Sequence, residues 1–143
     1  MVEFALVLPF LLALVLVLVD FGKAMSYWIN TTQVANEGAR IAAVNAPGIA
    51  DLPAYIKGEL DPELQNGSIN VGPNKAASVL ICFPDAGKST IGEPVRVKIT
   101  SNYRPTLLGF FGSSFAFANI PISGSATMRL EHNATKFTGG ACS

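Results

Sequence analysis

Few residues in this chain are placed to do chemistry. Gly87-Lys88-Ser89-Thr90 has the look of the end of a phosphate-binding loop. The complete pattern needs a glycine five positions before Gly87, and that residue is Cys82. A phosphate loop also opens a helix, whereas this one stands between two strand-like runs, so a surface turn with a solvated Lys88 is the expectation. His132, the single histidine, has Glu131 beside it, but no nucleophile and orienting acid are spaced to converge on it. Asp51, Glu59, Asp61 and Glu63 form a loose acidic group without the spacing of a calcium loop; it reads as a solvated face. With one histidine and two cysteines, a multi-ligand zinc site is not expected. No catalytic, cofactor or metal site emerges, and the expectation is a protein that is not an enzyme.

Two cysteines and one glutamate remain. Cys82 and Cys142 lie sixty positions apart. In an exported domain they are expected to form a disulfide that ties the C-terminal tail to an internal strand; two unrelated thiols in a reducing compartment are the alternative. Glu3 stands at the front edge of residues 4–19, sixteen consecutive positions with no charged or polar side chain. At 1.5 Å per residue that run is about 24 Å long, and its flanking residues bring it close to the thickness of a bilayer core. A carboxylate at the end of such a run is costly in lipid and marks a partner or a function. An α-amino group, its own or a neighbouring copy's, is the obvious countercharge.

The elements that carry these residues follow from periodicity. Residues 2 to about 45 read as one helix, with Pro9 expected to kink or locally unwind it. After Asp20 it turns amphipathic: Phe21, Trp28, Ala35, Ala39 and Ala42 fall near one stripe, with Lys23, Asn30, Gln33, Glu37 and Arg40 elsewhere. Ala46-Pro47-Gly48 ends it. Such a helix is about 66 Å long, twice what a membrane needs, so its second half must pack on something outside the bilayer. Asp20 is then either solvated or paired with Lys23 one turn on, or part of a pair between subunits.

A connector over 46–67 includes a short helix near 52–60. From residue 68 the period becomes two, with strands expected at 68–72, 77–83, 93–103 and 123–131. Residues 107–122 are apolar but broken by Gly109, Gly112 and Pro121 and read as a long loop over the sheet or a contact surface, its Phe110, Phe111, Phe115 and Phe117 being core filling or subunit contact. The expected fold is α+β: a long helix, hydrophobic and then amphipathic, over 1–45, packed on a small antiparallel sheet within a β-rich globular domain over 46–143. Ten basic and ten acidic residues without a basic cluster argue against nucleic acid. Asn30, Asn66 and Asn133 each begin an acceptor sequon for glycosylation. No basic segment precedes the apolar run and no small-residue cleavage site follows, so the run is expected to stay in the working protein, either as a retained anchor or after removal of an upstream leader.

Two stretches resemble the TadE/TadG-like, pilin-related proteins of tight-adherence and similar type IV filament systems. The first is VEFALVLPFLLALVLVLVDFG followed by ANEGAR, within residues 2–44; the second is VKITSNYRPTLLGFFG with a final SATMRLE, within 95–131. The resemblance implies a pilin-like lollipop and a structural role. Copies of the chain would polymerise through the N-terminal helix into an extracellular adhesive filament after residence in the cytoplasmic membrane. A separate assembly ATPase, a platform protein and a prepilin peptidase are the implied partners. Glu3 would set register against a neighbour's N-terminal amine, Phe4 would begin the core bundle and Pro9 would allow a partly melted segment; Asp20 and Lys23 are counted with them as assembly residues, Asp20 in a pair between subunits. The family's glutamate is fifth in the mature chain and here it is third: either a leader and two further residues precede Met1, or the chain is not processed in that way. A minor pseudopilin that primes another pilin, and a monomeric membrane-anchored domain, are the alternatives.

Overall fold

A computed structural model of the chain describes residues 2–66, 76–85, 88–103, 120–135, 137 and 139–142. Helix α1, Val2–Val44, is followed by two short helices, α2 at Leu52–Gly58 and α3 at Pro62–Asn66. Four strands follow: β1 Ser78–Phe83, β2 Pro94–Tyr103, β3 Ile120–Arg129 and β4 Gly140–Ala141. The sheet order is β3-β2-β1-β4.

Helix α1 continues through Pro9 without interruption, so the expected local unwinding does not occur. A proline removes one backbone donor, and the leucines and alanine around it favour helix strongly enough to carry the turn. The helix ends where Asn45 turns left-handed at φ 47°, a conformation asparagine tolerates better than most residues. Asp51 caps α2 by accepting from the Ala54 amide at 3.2 Å.

Strands β2 and β3 pair antiparallel from Pro94 opposite Arg129 to Tyr103 opposite Ile120. Pro121, expected to break the chain into a loop, instead lies in β3, an edge strand that tolerates its missing N–H. Strand β1 pairs antiparallel with β2, but β4 runs parallel to β1 through Cys82 and Phe83. The sheet is therefore mixed, not purely antiparallel; a strand of two residues leaves no alternation to read. The strand expected at 68–72 and the phenylalanines at 110, 111, 115 and 117 lie outside the described residues.

Alternation along β2 sends Val95, Val97, Ile99, Ser101 and Tyr103 inward and leaves Arg96, Lys98 and Asn102 exposed. The inward face receives the second half of α1, and α2 packs beside β1. The buried side of the helix carries Asp20, Tyr27, Thr31, Ala35, Ala39 and Ala42, and Gly38 faces Ile56 of α2. Phe21 and Trp28, expected on this stripe, are exposed at 64% and 49%. The reason is proximity: a Cβ on Gly124 of β3 would lie 2.7 Å from the Thr31 carbonyl oxygen. At the Thr31–Gly124 crossing only small residues fit; Tyr27, one turn away, is taken up against Tyr103, while Phe21 and Trp28 lie on the exposed side.

Candidate functional site

The first half of α1 has no such cover. Every described residue from 4 to 19 is exposed or half-exposed, Phe10 reaching 84%. The helix is long and apolar enough to cross a membrane, and only 6% of its most apolar window is buried. Burial of a large aliphatic or aromatic side chain stabilises by about 1.5–3 kcal/mol, so leaving this whole run in water costs on the order of tens of kcal/mol. Lipid or other apolar helices must cover it.

Cover begins abruptly at Asp20, which is 3% exposed, so the solvated reading of this residue does not hold. The Tyr103 hydroxyl approaches its carboxylate at 3.3 Å and its carbonyl oxygen at 3.4 Å, and donates between them. Two turns along the helix, the Tyr27 ring packs on Tyr103 with centroids 5.7 Å apart and planes at 46°. The Tyr27 hydroxyl donates to the Glu63 carboxylate of α3. Burial, then the bond to Glu63, then the charges of Glu63 and Asp61 push the Tyr27 phenol well above its ordinary range. The Thr31 hydroxyl donates to the Tyr27 carbonyl at 2.7 Å, and the Asp61 amide donates to the Asn30 side-chain oxygen at 3.1 Å. Polar groups from β2 and from the α3 segment therefore clamp α1 at the point where the bare stem emerges.

Glu3 lies in the first turn of α1, and its side chain is outside what the structure describes. Phe4 and Lys23 are exposed. Asn30 is half-buried and already engaged by Asp61, whereas Asn133 is exposed and accepts from the Ile91 amide at 3.1 Å. The Asn66 side chain lies outside the described residues. Lys88 and His132 are exposed, and no metal-binding group of three or more acidic, histidine or cysteine residues occurs among the described residues. The acidic connector is not simply solvated: Asp51 and Asp61 cap helices and Glu63 binds Tyr27.

Cys82 and Cys142 are joined in a disulfide with Cα atoms 5.0 Å apart. Phe137 stacks on Phe83 with centroids 6.0 Å apart, and the Cys142 amide donates to the Phe83 carbonyl at 3.3 Å. The tail is thus fixed along the free edge of β1. Sequence reasoning missed the Tyr27, Glu63 and Tyr103 cluster. Its members are 36 and 76 residues from Tyr27, and the one local signal was a tyrosine closing a well-alternating strand.

Residues 1–40 match the TadE-like protein family. No curated protein and no solved structure matches the chain. Together with the apolar N-terminal helix, the family match is consistent with a Tad pilin-related protein, and that family is generally non-enzymatic.

Proposed function

We propose that this chain, TadE-like over its first 40 residues, is a structural subunit that polymerises through α1 into an extracellular, Tad-like adhesive filament. The observation that carries the reading is the uncovered apolar stem of residues 4–19 beneath a folded head. Before assembly the stem lies in the cytoplasmic membrane; in the filament it exchanges lipid for the stems of other copies. Glu3 pairs with the N-terminal amine of an adjacent copy and sets the axial register, a role in which a buried pair adds specificity more than stability. The backbone acceptor that Pro9 leaves without its usual donor finds a partner inside the bundle. The sheet's outward face, with Arg96, Lys98, Ser125, Thr127 and Arg129, forms the filament surface. A separate ATPase and platform protein drive extrusion, and a prepilin peptidase prepares the N-terminus.

Glu3→Ala, made in cells that assemble the wild-type chain, tests this. The expected outcome is a full amount of the chain in the membrane fraction and none in the material sheared from the cell surface. Unchanged assembly would remove Glu3 from the mechanism. Unchanged function after removal of residues 1–22 would favour a monomeric anchored domain instead.

A further inference from the structure

The register of the sheet gathers charges that are dispersed in the sequence. Arg96 and Lys98 point outward from β2, two residues apart, and Arg129 of β3 stands opposite Pro94. With about 3.3 Å per residue along a strand and about 4.8 Å between strands, the three cations follow one diagonal at intervals of about 7–8 Å. All three are exposed. The Arg96 guanidinium is oriented by donating to the Thr127 hydroxyl at 3.1 Å. Beside the diagonal, Ser123, Ser125 and Thr127 project outward along β3 and add a row of hydroxyls.

No acid answers these charges. The outward positions of β1, β2 and β3 carry no carboxylate, and no described residue forms an ion pair with any of the three cations. The chain holds as many acids as bases, so the segregation does not come from an excess of bases. Asp51, Glu59, Asp61 and Glu63 belong to the α2–α3 segment, which packs with α1 behind the sheet. A surface that uses charge for solubility alone mixes both signs. Among the described residues, the one large apolar side chain on the outward face is Leu80, and the face bears no aromatic ring. It therefore lacks the anchors of a protein interface and the stacking platform of a site for single-stranded nucleic acid.

We infer that this face binds an acidic polysaccharide, a polymer of sugars that carries carboxylates at intervals. The inference rests on the filament reading above, which exposes the face, and it names the class of surface to which such a filament adheres. Cations set apart along a diagonal suit a polymer with spaced anions, not one compact anion. The β3 hydroxyls supply the second half of the recognition, because each can both donate and accept, as sugar hydroxyls do. Thr127 accepts from Arg96 and keeps its own hydrogen to donate. A polyphosphate offers acceptors alone and would leave half the capacity of that row unused. A filament repeats the face on every copy, so a weak site on each becomes firm attachment along one polymer.

Sedimentation of sheared filaments with labelled alginate, a polymer of uronic acids, tests this, with neutral dextran as the control. Alginate is expected in the pellet and dextran in the supernatant. Retention of alginate should fall by about tenfold or more when Lys98→Gln and Arg129→Gln are combined. It should also fall with added salt, which screens exposed charges, and stay unchanged in Lys57→Gln on α2. Equal retention of dextran, undiminished retention by the double variant, or stronger retention of single-stranded DNA or polyphosphate than of alginate would overturn the inference. A second measurement needs no filament: alginate oligomers are titrated into the full chain in a non-ionic detergent, and amide NMR shifts are followed at Arg96, Lys98 and Thr127. Shifts there in a chain that makes no filament would support the site and defeat the filament reading. Filaments that hold no alginate, from a chain whose amides do not shift, would defeat the site alone.

Discussion

The Tyr103 hydroxyl, at the last residue of β2, lies 3.3 Å from the Asp20 carboxylate at the first buried turn of α1. A carboxylate directly after sixteen apolar residues would otherwise face lipid or water at random. Here it is taken into the head, and the helix leaves the sheet at a fixed point and rotation. Tyr103→Phe keeps the ring contact with Tyr27 and removes only the donor. It is expected to lower stability by about 1–3 kcal/mol, read from urea unfolding in detergent.

Tyr27 makes the same junction sensitive to alkali. Its phenol is pushed upward in the folded chain, first by burial and then by Glu63, so the folded state holds the proton more tightly than the unfolded state. That contribution is complete below the ordinary tyrosine value of about 10 and is lost as pH rises above it. Wild-type stability should therefore decline above about pH 10, and Tyr27→Phe should flatten that decline while lowering stability at neutral pH. An identical alkaline slope in both proteins would place its origin elsewhere.

Two close approaches to α1, one from the sheet at Gly124 and one from α2 at Gly38, predict an ordered pair of glycine effects. At Gly124 an added methyl meets the Thr31 backbone at 2.7 Å, and the helix must move to admit it. At Gly38 the same methyl meets the Ile56 Cδ1 atom at 2.7 Å, the far end of a side chain that can change rotamer. Gly124→Ala is expected to cost about 1–3 kcal/mol and Gly38→Ala clearly less, by the same unfolding assay. The reverse order would show that the sheet yields more readily than Ile56.

These particulars show where the sequence was legible. The extent of α1 was readable because an unbroken apolar and amphipathic pattern runs into Ala46, Pro47 and Gly48. Strand β2 was readable because Val95, Val97 and Ile99 alternate with Arg96, Lys98 and Thr100. The rotation of α1 was legible only in part: Ala35, Ala39 and Ala42 are buried as their spacing suggests, whereas Phe21 and Trp28 are not. Hydrophobicity favoured Phe21 and Trp28 for the buried side, but the close approach of Gly124 in the sheet selected Thr31 there. The Tyr27–Glu63 bond depends on how the connector folds back, and α3 at five residues and β4 at two are too short to carry a period. The Cys82–Cys142 link was legible because the chain has two cysteines and its apolar stem suggests an exported chain.

That disulfide closes a separation of 60 residues. In the chain-entropy model its loss costs on the order of 4 kcal/mol. Cys142→Ser should lower unfolding stability by about that amount and free β4 first, detected as faster amide exchange at Gly140 and Ala141 than at Val97. Unchanged exchange at the tail would mean that the Phe83–Phe137 stack alone holds it.

Electron microscopy of filaments sheared from the cells that make this chain, with mass spectrometry of their main protein, tests the central claim most directly. The account predicts that this chain is the dominant component and that its stems fill the filament core. Filaments built from another protein, with this chain retained in the membrane fraction or present only in traces, would contradict it and leave a minor component that primes assembly.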